Sequence, residues 1–179
     1  MFFCSVFMIL TGNEIYNQIV IGNIQIDPFD VNRLNPNSYN LSLGNELAVY
    51  RDAVLNMKNK SELVTLPIPE EGFRIEPNRL YLASTNETTF TDKYVPILSG
   101  RSSVGRLGIS IHVTAGFGDI GFNGKWTLEI FCIQPVIIYP NMQICQIYFI
   151  EPKGQISLYN SKYNNNSGIQ GSMLWKDFY

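Results

Sequence analysis

The chain has 179 residues, which suits a single domain with a sizeable core and is too short for two ordinary domains. Apolar residues make up 45% of it and charged residues 16%, a composition that excludes an intrinsically disordered protein. The formal net charge of −2 argues against a general binder of nucleic acid or of membrane surfaces, because both functions need a surplus of Lys and Arg.

The chain begins with the apolar stretch MFFCSVFMIL. This stretch is too short to span a membrane and lacks the basic residues and the cleavage site of a secretory signal, so it predicts neither. Met8 starts the segment MILTGNEI, and we interpret residues 1–7 as an upstream extension. Thr11 and Glu14 have the spacing of a capping box, which predicts a short helix near the N-terminus.

A β pattern follows the helix. Short segments rich in β-branched and aromatic residues alternate with Gly, Pro, Asn and Asp, and they predict a β domain over residues 8–158. The segments are IVIGNIQI, SYNLSLG, ELAVYRD, RLYLAST, GISIHVT, KWTLEIFCI, PVIIYP and QICQIYFIE. Such spacing is typical of a sandwich, a jelly roll or a distorted barrel. The polar tail, residues 159–179, is predicted to be mobile unless a ligand or partner orders it.

The stretch SGRSSVGRLG, residues 99–108, has little to offer a hydrophobic core. Its Ser and Gly residues can present hydroxyls and backbone N–H groups, while Arg101 and Arg106 supply forked positive charge, a combination suited to a polyphosphate. It is not a Walker A loop, because no G-K-[ST] follows. An ordinary β-turn with solvated arginines explains the same composition, and both interpretations stay open at this point.

Glu129 stands in the middle of the predicted strand KWTLEIFCI. Strand alternation puts it on one face with Thr127 and Phe131, opposite Trp126 and Leu128. If that face points inward, Glu129 becomes a shielded carboxyl that can take and give a proton. If the face is wet, Glu129 is an ordinary surface residue, and the pattern does not separate the two.

The loop HVTAGFGDIGFNGKW places His112 and Asp119 before this strand. A lone strand histidine is usually structural, and an Asp beside glycines is usually a turn residue. Cys4, Cys132 and Cys145 are odd in number and lack C-x-x-C spacing, so they favour a reducing, cytoplasmic setting over disulfides or a zinc knuckle. The motifs of zinc-dependent nucleobase deaminases and of Ser–His–Asp hydrolases do not occur.

Several motifs in order resemble those of the dCTP deaminases of the trimeric dUTPase-like superfamily, close to their bifunctional dCTP deaminase/dUTPase branch. They are MILTGNEI, NPNSYNLSLG, RLYLASTNE, GRSSVGRLGISIHVTAGF, KWTLEI and the SKY of the tail, and they span nearly all of the chain from Met8. The resemblance implies a mainly β, dUTPase-like distorted jelly roll or β-barrel with a short N-terminal helix. It also implies a homotrimer with sites between subunits.

The resemblance further implies the site residues. Glu129 would be the proton shuttle, and Ser102 and Arg106 would assist catalysis. Asp119 would bind the deoxyribose side and, in the bifunctional branch, would also act in catalysis by orienting the second water. The residues around the substrate would be Arg101, Ser102, Ser103, Val104, Gly105 and Arg106 at the phosphates; Val113, Ala115, Thr127, Leu128 and Gln146 near the base and the attacking water; and Tyr159, Lys162 and Asn166 in a tail that closes over the triphosphate. Mg²⁺ would come bound to the nucleotide, and no zinc would be used.

The activity implied first is deamination of dCTP to dUTP and ammonia. The alternative is a bifunctional enzyme that continues to dUMP and pyrophosphate, and an alternative of another class is an inactive nucleotide-binding or interaction module on the same fold. Expected partners are dCTP or dUTP, with dTTP as an inhibitor, and two further copies of the chain, with neither nucleic acid nor a membrane.

A few positions depart from the family pattern. Phe117 stands where strictly monofunctional bacterial deaminases tend to have arginine, which favours the bifunctional branch. Gly118 and Ile120 replace a bulky apolar residue and a proline, which predicts a more flexible loop around Asp119. Asn166 replaces a glutamine, so its contact is predicted to be lost or taken over by Gln170.

Overall fold

A computed structural model describes residues 8–112 and 115–179. The proposed upstream extension, residues 1–7, and the predicted substrate contact Val113 lie outside the described residues. The elements in chain order are α1 (Gly12–Val20), β1 (Ile24–Asp27), a 3₁₀ turn (Val31–Arg33), β2 (Leu34–Asn35), β3 (Ser38–Tyr50), β4 (Leu63–Pro67), β5 (Phe73–Ile75), β6 (Tyr81–Thr91), β7 (Val95–Gly100), α2 (Ser102–Gly105), β8 (Ile109–Ser110), β9 (Asn123–Cys132), β10 (Val136–Ile138), β11 (Gln143–Ile150) and a C-terminal 3₁₀ helix (Leu174–Phe178). Within the described ranges, no helix has both the length and the apolar character needed to cross a membrane.

The short N-terminal helix is confirmed. The hydroxyl of Thr11 accepts a hydrogen bond from the backbone amide of Glu14 at 3.3 Å, as the capping-box spacing predicts. Ile15, on the inner face of α1, is fully buried in the core. Helix α1 ends at Val20. The described chain after it is mainly β, as the sequence predicted.

The strands form an antiparallel sheet in the order β7-β11-β3-β6-β9-β8. Strand β1 pairs with β6, and β2 and β4 both pair with β3. A separate two-stranded sheet joins β5 and β10. The long central strands β3 and β6 therefore connect the two flanks of the molecule, with β9 and β11 on opposite sides of them.

The core is made by alternate residues of these long strands. Their inward side chains are fully shielded from solvent, and each of the large aliphatic and phenylalanine side chains among them contributes about 1.5–3 kcal/mol by removing its apolar area from water. The members are Tyr39, Leu41, Leu43 and Leu47 of β3, Ala83 of β6, Leu128 and Ile130 of β9, and Ile147 and Phe149 of β11.

Strand β3 differs from the prediction. The sequence indicated two strands separated at Gly44, but Ser38–Tyr50 is a single strand. Its register against β6 shifts between Leu43 and Leu47, and a Cβ on Gly44 would lie 3.1 Å from the carbonyl oxygen of Ser84. Gly44 therefore marks a β-bulge where β6 approaches closely, and not a turn.

The predicted strand GISIHVT is also shorter than expected. Of its described residues, 108–112, Ile109 and Ser110 pair with Cys132 and Phe131 of β9. The chain leaves the sheet after Ser110, and this departure brings His112 to the face of β9 that carries Glu129.

Candidate active site

A cavity of about 450 Å³ lies where β9, the loop that carries Asp119 and the C-terminal tail meet. Six of the residues predicted to surround a substrate line it: Ala115, Asp119, Thr127, Glu129, Tyr159 and Asn166. Its size is in the range of small-molecule sites. Apolar walls come mainly from Leu82, Phe117, Phe122 and Trp126.

The outer face of β9 supplies the polar floor of the cavity. Lys125, Thr127 and Glu129 alternate along the strand and are partly exposed, whereas Trp126 and Leu128 between them are buried. The predicted alternation is therefore confirmed, and Glu129 points into a cavity. Since the side chain of Leu128 is fully buried, Leu128 can contribute only its backbone to a ligand there.

Two hydrogen bonds of Trp126 fix the position of this floor. Its backbone amide donates to the hydroxyl of Thr85 at 3.0 Å, and its indole Nε1 donates to the hydroxyl of Thr89 at 2.7 Å. Both threonines belong to β6, at the point where the register between β6 and β9 shifts. These bonds hold Thr127, the next residue of β9, in a fixed position beside the irregular part of β6.

Glu129 contacts the only histidine of the chain. Nδ1 of His112 lies 2.7 Å from Oε2 of Glu129, and the two side chains are 6% and 34% exposed. Nε2 of His112 is buried and has no hydrogen-bond partner among the described residues. His112 thus orients one carboxylate oxygen of Glu129, while the carboxylate stays open to the cavity. Sequence reasoning favoured a purely structural role for this histidine and did not find the pair.

The loop around Asp119 is tighter than the sequence suggested. A Cβ on Gly118 would lie 2.4 Å from the Trp126 ring, and the Gly118 amide donates to the carbonyl of Pro96 at 2.9 Å. Glycine is therefore required here by close packing, and the predicted flexibility before Asp119 is not what the structure shows. The adjacent Phe117 bridges to Ile97 of β7 while its side chain remains 71% exposed at the cavity.

The tail is folded against the β domain. Backbone amides of Asn165 and Tyr159 donate to the carbonyls of Asn123 and Ile120, each at 2.7 Å. The amide of Lys125 donates to the carbonyl of Asn166 at 2.8 Å, within a parallel bridge between Gly124 and Asn166. The tail, which composition predicts to be mobile unless a ligand or partner orders it, therefore pairs with the first residues of β9.

Asn166 and Lys162 of the tail, which were predicted to contact the triphosphate, are bonded to other residues of the protein. The side-chain amide of Asn166 donates to the carbonyls of Lys125 and Gly168, each at 2.8 Å, so its donors are used inside the protein. Nζ of Lys162 lies 2.6 and 2.7 Å from the two carboxylate oxygens of Asp177, which raises the pKa of Lys162. Lys162 does not line the cavity, whereas Gln170 does.

The arginine–serine segment lies elsewhere in the protomer. Residues 101–106 do not line the cavity, and Ser102, Ser103 and Arg106 are exposed on and beside α2, while Val104 is buried. Arg101 donates from Nη1 to the carbonyl of Gln143 at 2.8 Å. Gln146 lies beside this segment, because its amide donates to the carbonyl of Gly100 at 3.2 Å.

Apart from Leu128 and Lys162, which do not line the cavity, the described site residues that the sequence predicted fall into two groups. The Glu129 group is Ala115, Asp119, Thr127, Glu129, Tyr159 and Asn166. The Arg106 group is residues 101–106 with Gln146, on the β7–β11 side of the sheet. Within a single chain, the two groups do not line the same cavity.

The described cysteines are poor candidates for a nucleophile. Cys132 and Cys145 are both free and buried, and burial raises the pKa of each thiol. A thiol that stays protonated is a weak nucleophile.

Some residues at the cavity carried no signal in the sequence. Tyr50 at the end of β3, Lys125 of β9, and Tyr163 and Gly171 of the tail all line it. Lys125 and Tyr163 lie in the motifs KWTLEI and SKY, and Tyr50 lies in the predicted strand ELAVYRD, but the sequence assigned none of these residues to a site.

The chain is similar to proteins of one family. The model of the family described as dCTP deaminase-like matches residues 9–151. A protein of Clostridium beijerinckii named "dCTP deaminase, dUMP-forming" is 59% identical over 172 residues, 96% of this chain and 99% of that protein. A Clostridium botulinum protein with the same name is 61% identical over 172 residues, with the same coverage of both proteins.

The fold has a solved counterpart. The 2'-deoxycytidine 5'-triphosphate deaminase of Agrobacterium tumefaciens aligns with a TM-score of 0.64 at 19% identity. The alignment covers 82% of this chain and 49% of that one, so this chain spans about half the length of that structure. This likeness shows a shared fold.

Proposed function

Because this chain belongs to the dCTP deaminase-like family, we propose that it deaminates dCTP and hydrolyses the resulting dUTP to dUMP and pyrophosphate. The sequence favoured deamination to dUTP, with the bifunctional enzyme as the alternative. The relatives that match over almost their whole length are named dUMP-forming, and this supports the alternative. The structural observation that carries the proposal is the carboxylate of Glu129, oriented by His112 and open to a nucleotide-sized cavity.

Deamination needs one group that both accepts and donates protons. In the proposed reaction Glu129 takes a proton from a water held by Ser102 and the backbone near Ala115. The resulting hydroxide attacks C4 of cytosine, and Glu129 passes the proton to N3. Glu129 next transfers the hydroxyl proton to the amino group; the C4–N bond breaks, and ammonia leaves to give dUTP. The contribution of the protein is positioning and proton transfer.

The second step breaks the phosphoanhydride bond between the α and β phosphates of dUTP. We propose that Asp119 orients a second water for this hydrolysis, because its carboxylate is exposed at the cavity and its loop is fixed by the packing of Gly118 on Trp126. Water adds to phosphorus, the bridging oxygen leaves with the outer two phosphates, and the products are dUMP and pyrophosphate.

A complete site requires a second protomer. Glu129 lies in the cavity, but the cationic segment that suits a triphosphate is exposed outside it. We propose that the protein is a homotrimer in which Ser102 and Arg106 of one subunit meet the Glu129 group of the next. This arrangement brings positive charge to a cavity whose described lining residues include the cation of Lys125 against the two carboxylates of Asp119 and Glu129.

Magnesium is proposed to enter with the nucleotide. The cavity offers hard oxygen donors in the carboxylates of Asp119 and Glu129, while the described residues hold no cluster of three potential metal ligands. The phosphates would supply most of the ligands, as Mg²⁺ commonly allows. When bound, the ion neutralises phosphate charge during hydrolysis.

The proposal is tested by incubating the purified chain with dCTP and Mg²⁺ and measuring ammonia, dUTP, dUMP and pyrophosphate. Equal amounts of ammonia, dUMP and pyrophosphate are expected. Ammonia with dUTP alone would indicate a deaminase only, and pyrophosphate from dUTP with dCTP untouched would indicate a dUTPase. No turnover of either nucleotide would indicate the inactive binding module.

Asp119→Asn is expected to separate the two steps. The amide cannot orient and deprotonate the second water as the carboxylate does, so dUTP should accumulate from dCTP and pyrophosphate release should fall at least about 100-fold. Asp92→Asn, on the turn after β6, is the matched control and should leave both products unchanged. Equal loss of ammonia and pyrophosphate in the Asp119 variant would assign Asp119 to binding alone.

Asn166 and Gln170 are expected to act differently. Asn166→Ala removes the bonds that tie the tail to Lys125 and Gly168, and it should raise KM for dCTP while speeding hydrogen exchange across residues 164–170. Gln170→Ala should raise KM without changing that exchange, because its amide lines the cavity and bonds only Gly171. The exposed Asn160→Ala is the control. Faster exchange in both variants would mean that Gln170 also holds the tail.

A further inference from the structure

Three hydroxyl groups at the cavity accept hydrogen bonds from nearly consecutive amides of the tail. The hydroxyl of Thr127 accepts from the amide of Gln170 at 3.0 Å. The hydroxyl of Tyr50 accepts from Ser172, and that of Tyr163 accepts from Met173, each at 2.9 Å. Together they hold a segment, residues 170–173, that lies beyond the part of the tail paired with β9.

This segment is a wall of the cavity. Gln170, Gly171 and Ser172 all line it, next to Tyr50 itself. A Cβ on Gly171 would lie 3.3 Å from the side chain of Leu63, which is the partner of Tyr50 in the β3–β4 pair, so Gly171 passes close to that side chain. The end of β3 and the start of β4 therefore form the platform on which this wall stands.

Among the three residues whose hydroxyls accept these bonds, Tyr50 lies on the sheet but outside β9 and outside the motifs that carry the family resemblance. It is the last residue of β3, so its ring is fixed by a strand that crosses the whole core. Thr127 also lies on the sheet, but it was already expected at the base, and Tyr163 moves with the tail. Tyr50 is thus the anchor that ties residues 170–173 to the domain independently of β9.

We propose that Tyr50 is a positioning residue for nucleotide binding: its hydroxyl holds the Gln170–Ser172 wall in place so that the cavity is closed around the substrate. This inference rests on the proposed function for its substrate. Because Tyr50 touches the wall and takes no part in proton transfer, it acts on substrate and transition state alike. Uniform loss of binding raises KM and leaves kcat unchanged.

Tyr50→Phe removes only the hydroxyl and tests this role. Ser172 is exposed, so water replaces the lost acceptor and the thermal midpoint should stay within about 2 °C of the parent. KM for dCTP should rise about fivefold, with kcat changed less than about twofold. In the free protein, the amides of residues 170–173 should exchange faster, whereas those of β3 and β9 should not.

Tyr16→Phe, at an exposed tyrosine of α1, is the matched control and should change neither KM nor exchange. Unchanged exchange at residues 170–173 in Tyr50→Phe would overturn the proposal, as would a fall in kcat at constant KM. The exchange measurement needs no nucleotide. A wild-type chain that fails to turn over dCTP would therefore refute the proposed function, while the role of Tyr50 in holding the wall would still be decided.

Discussion

Glu129→Gln is expected to abolish the release of ammonia from dCTP, with a loss of at least about 1,000-fold in kcat. Glutamine has the shape of glutamate but cannot take a proton from water and return it to N3 and to the leaving amine. Because one group performs every transfer in the proposed reaction, its removal stops the first step and leaves no bypass. Ammonia release in a stopped or coupled assay measures the effect.

The fold and the binding of nucleotide should survive this change. The side-chain amide that replaces the carboxylate can still hydrogen-bond Nδ1 of His112, and Glu129 is 34% exposed in the protomer, so no buried charge is left unpaired. We expect an unchanged thermal midpoint and an affinity for dCTP within about tenfold of the parent by calorimetry. Substantial deamination by a homogeneous preparation of the variant would eliminate Glu129 as the proton shuttle.

Local sequence signals predicted those features that depend on neighbours along the chain. Thr11 and Glu14 predicted the start of α1 because both partners of that cap lie within one turn. Strand alternation predicted that Glu129 and Thr127 share a face, because the backbone geometry of a strand fixes that relation. The sequence could not decide whether that face was wet or enclosed, since the other walls come from the Asp119 loop and the tail.

Features that depend on distant segments were predicted wrongly or missed. Gly44 suggested that a strand ends there, but Ser38–Tyr50 is continuous, and a Cβ on Gly44 would lie 3.1 Å from the carbonyl oxygen of Ser84 in β6. Gly118 suggested flexibility, yet the ring of Trp126 occupies the space of its missing side chain. In both cases the close neighbour of the glycine belongs to another strand, and the residues around the glycine in the sequence do not reveal it.

The polar tail shows the same limit. Its Gly, Ser and Asn content predicted mobility, but Asn165 and Asn166 pair with the start of β9, and Tyr50 and Thr127 accept amides further along. None of these partners is near the tail in sequence. A polar segment is held in one conformation when its backbone groups have hydrogen-bond partners in the domain, and composition does not show whether those partners exist.

The separation of the Arg106 and Glu129 groups leads to a test of assembly. In a cyclic trimer with sites between neighbours, each site takes Glu129 from one subunit and Arg106 from the next. Arg106→Ala should remove a forked positive charge from the phosphates and lower kcat/KM at least about 100-fold. A trimer composed of either variant alone then has no intact site.

Mixed trimers of Glu129→Gln and Arg106→Ala chains behave differently. Whether a mixed trimer holds two chains of one variant or of the other, one of its three sites joins an unchanged Glu129 to an unchanged Arg106 across an interface. Random assembly of equal amounts gives mixed trimers in about three quarters of cases, so about a quarter of all sites should be active.

Co-expression of the two variants with different affinity tags, followed by purification through both tags, isolates these mixed trimers for the ammonia assay. The matched control is co-expression of Glu129→Gln with a chain that carries both substitutions, which contains no intact pair and should stay inactive. Recovery of about a third of the wild-type activity per doubly tagged trimer is expected. Its absence from intact trimers would mean that Arg106 does not complete the Glu129 site across a subunit interface, and then the cavity at Glu129 would have to obtain its phosphate-binding charge from Lys125 or from the tail.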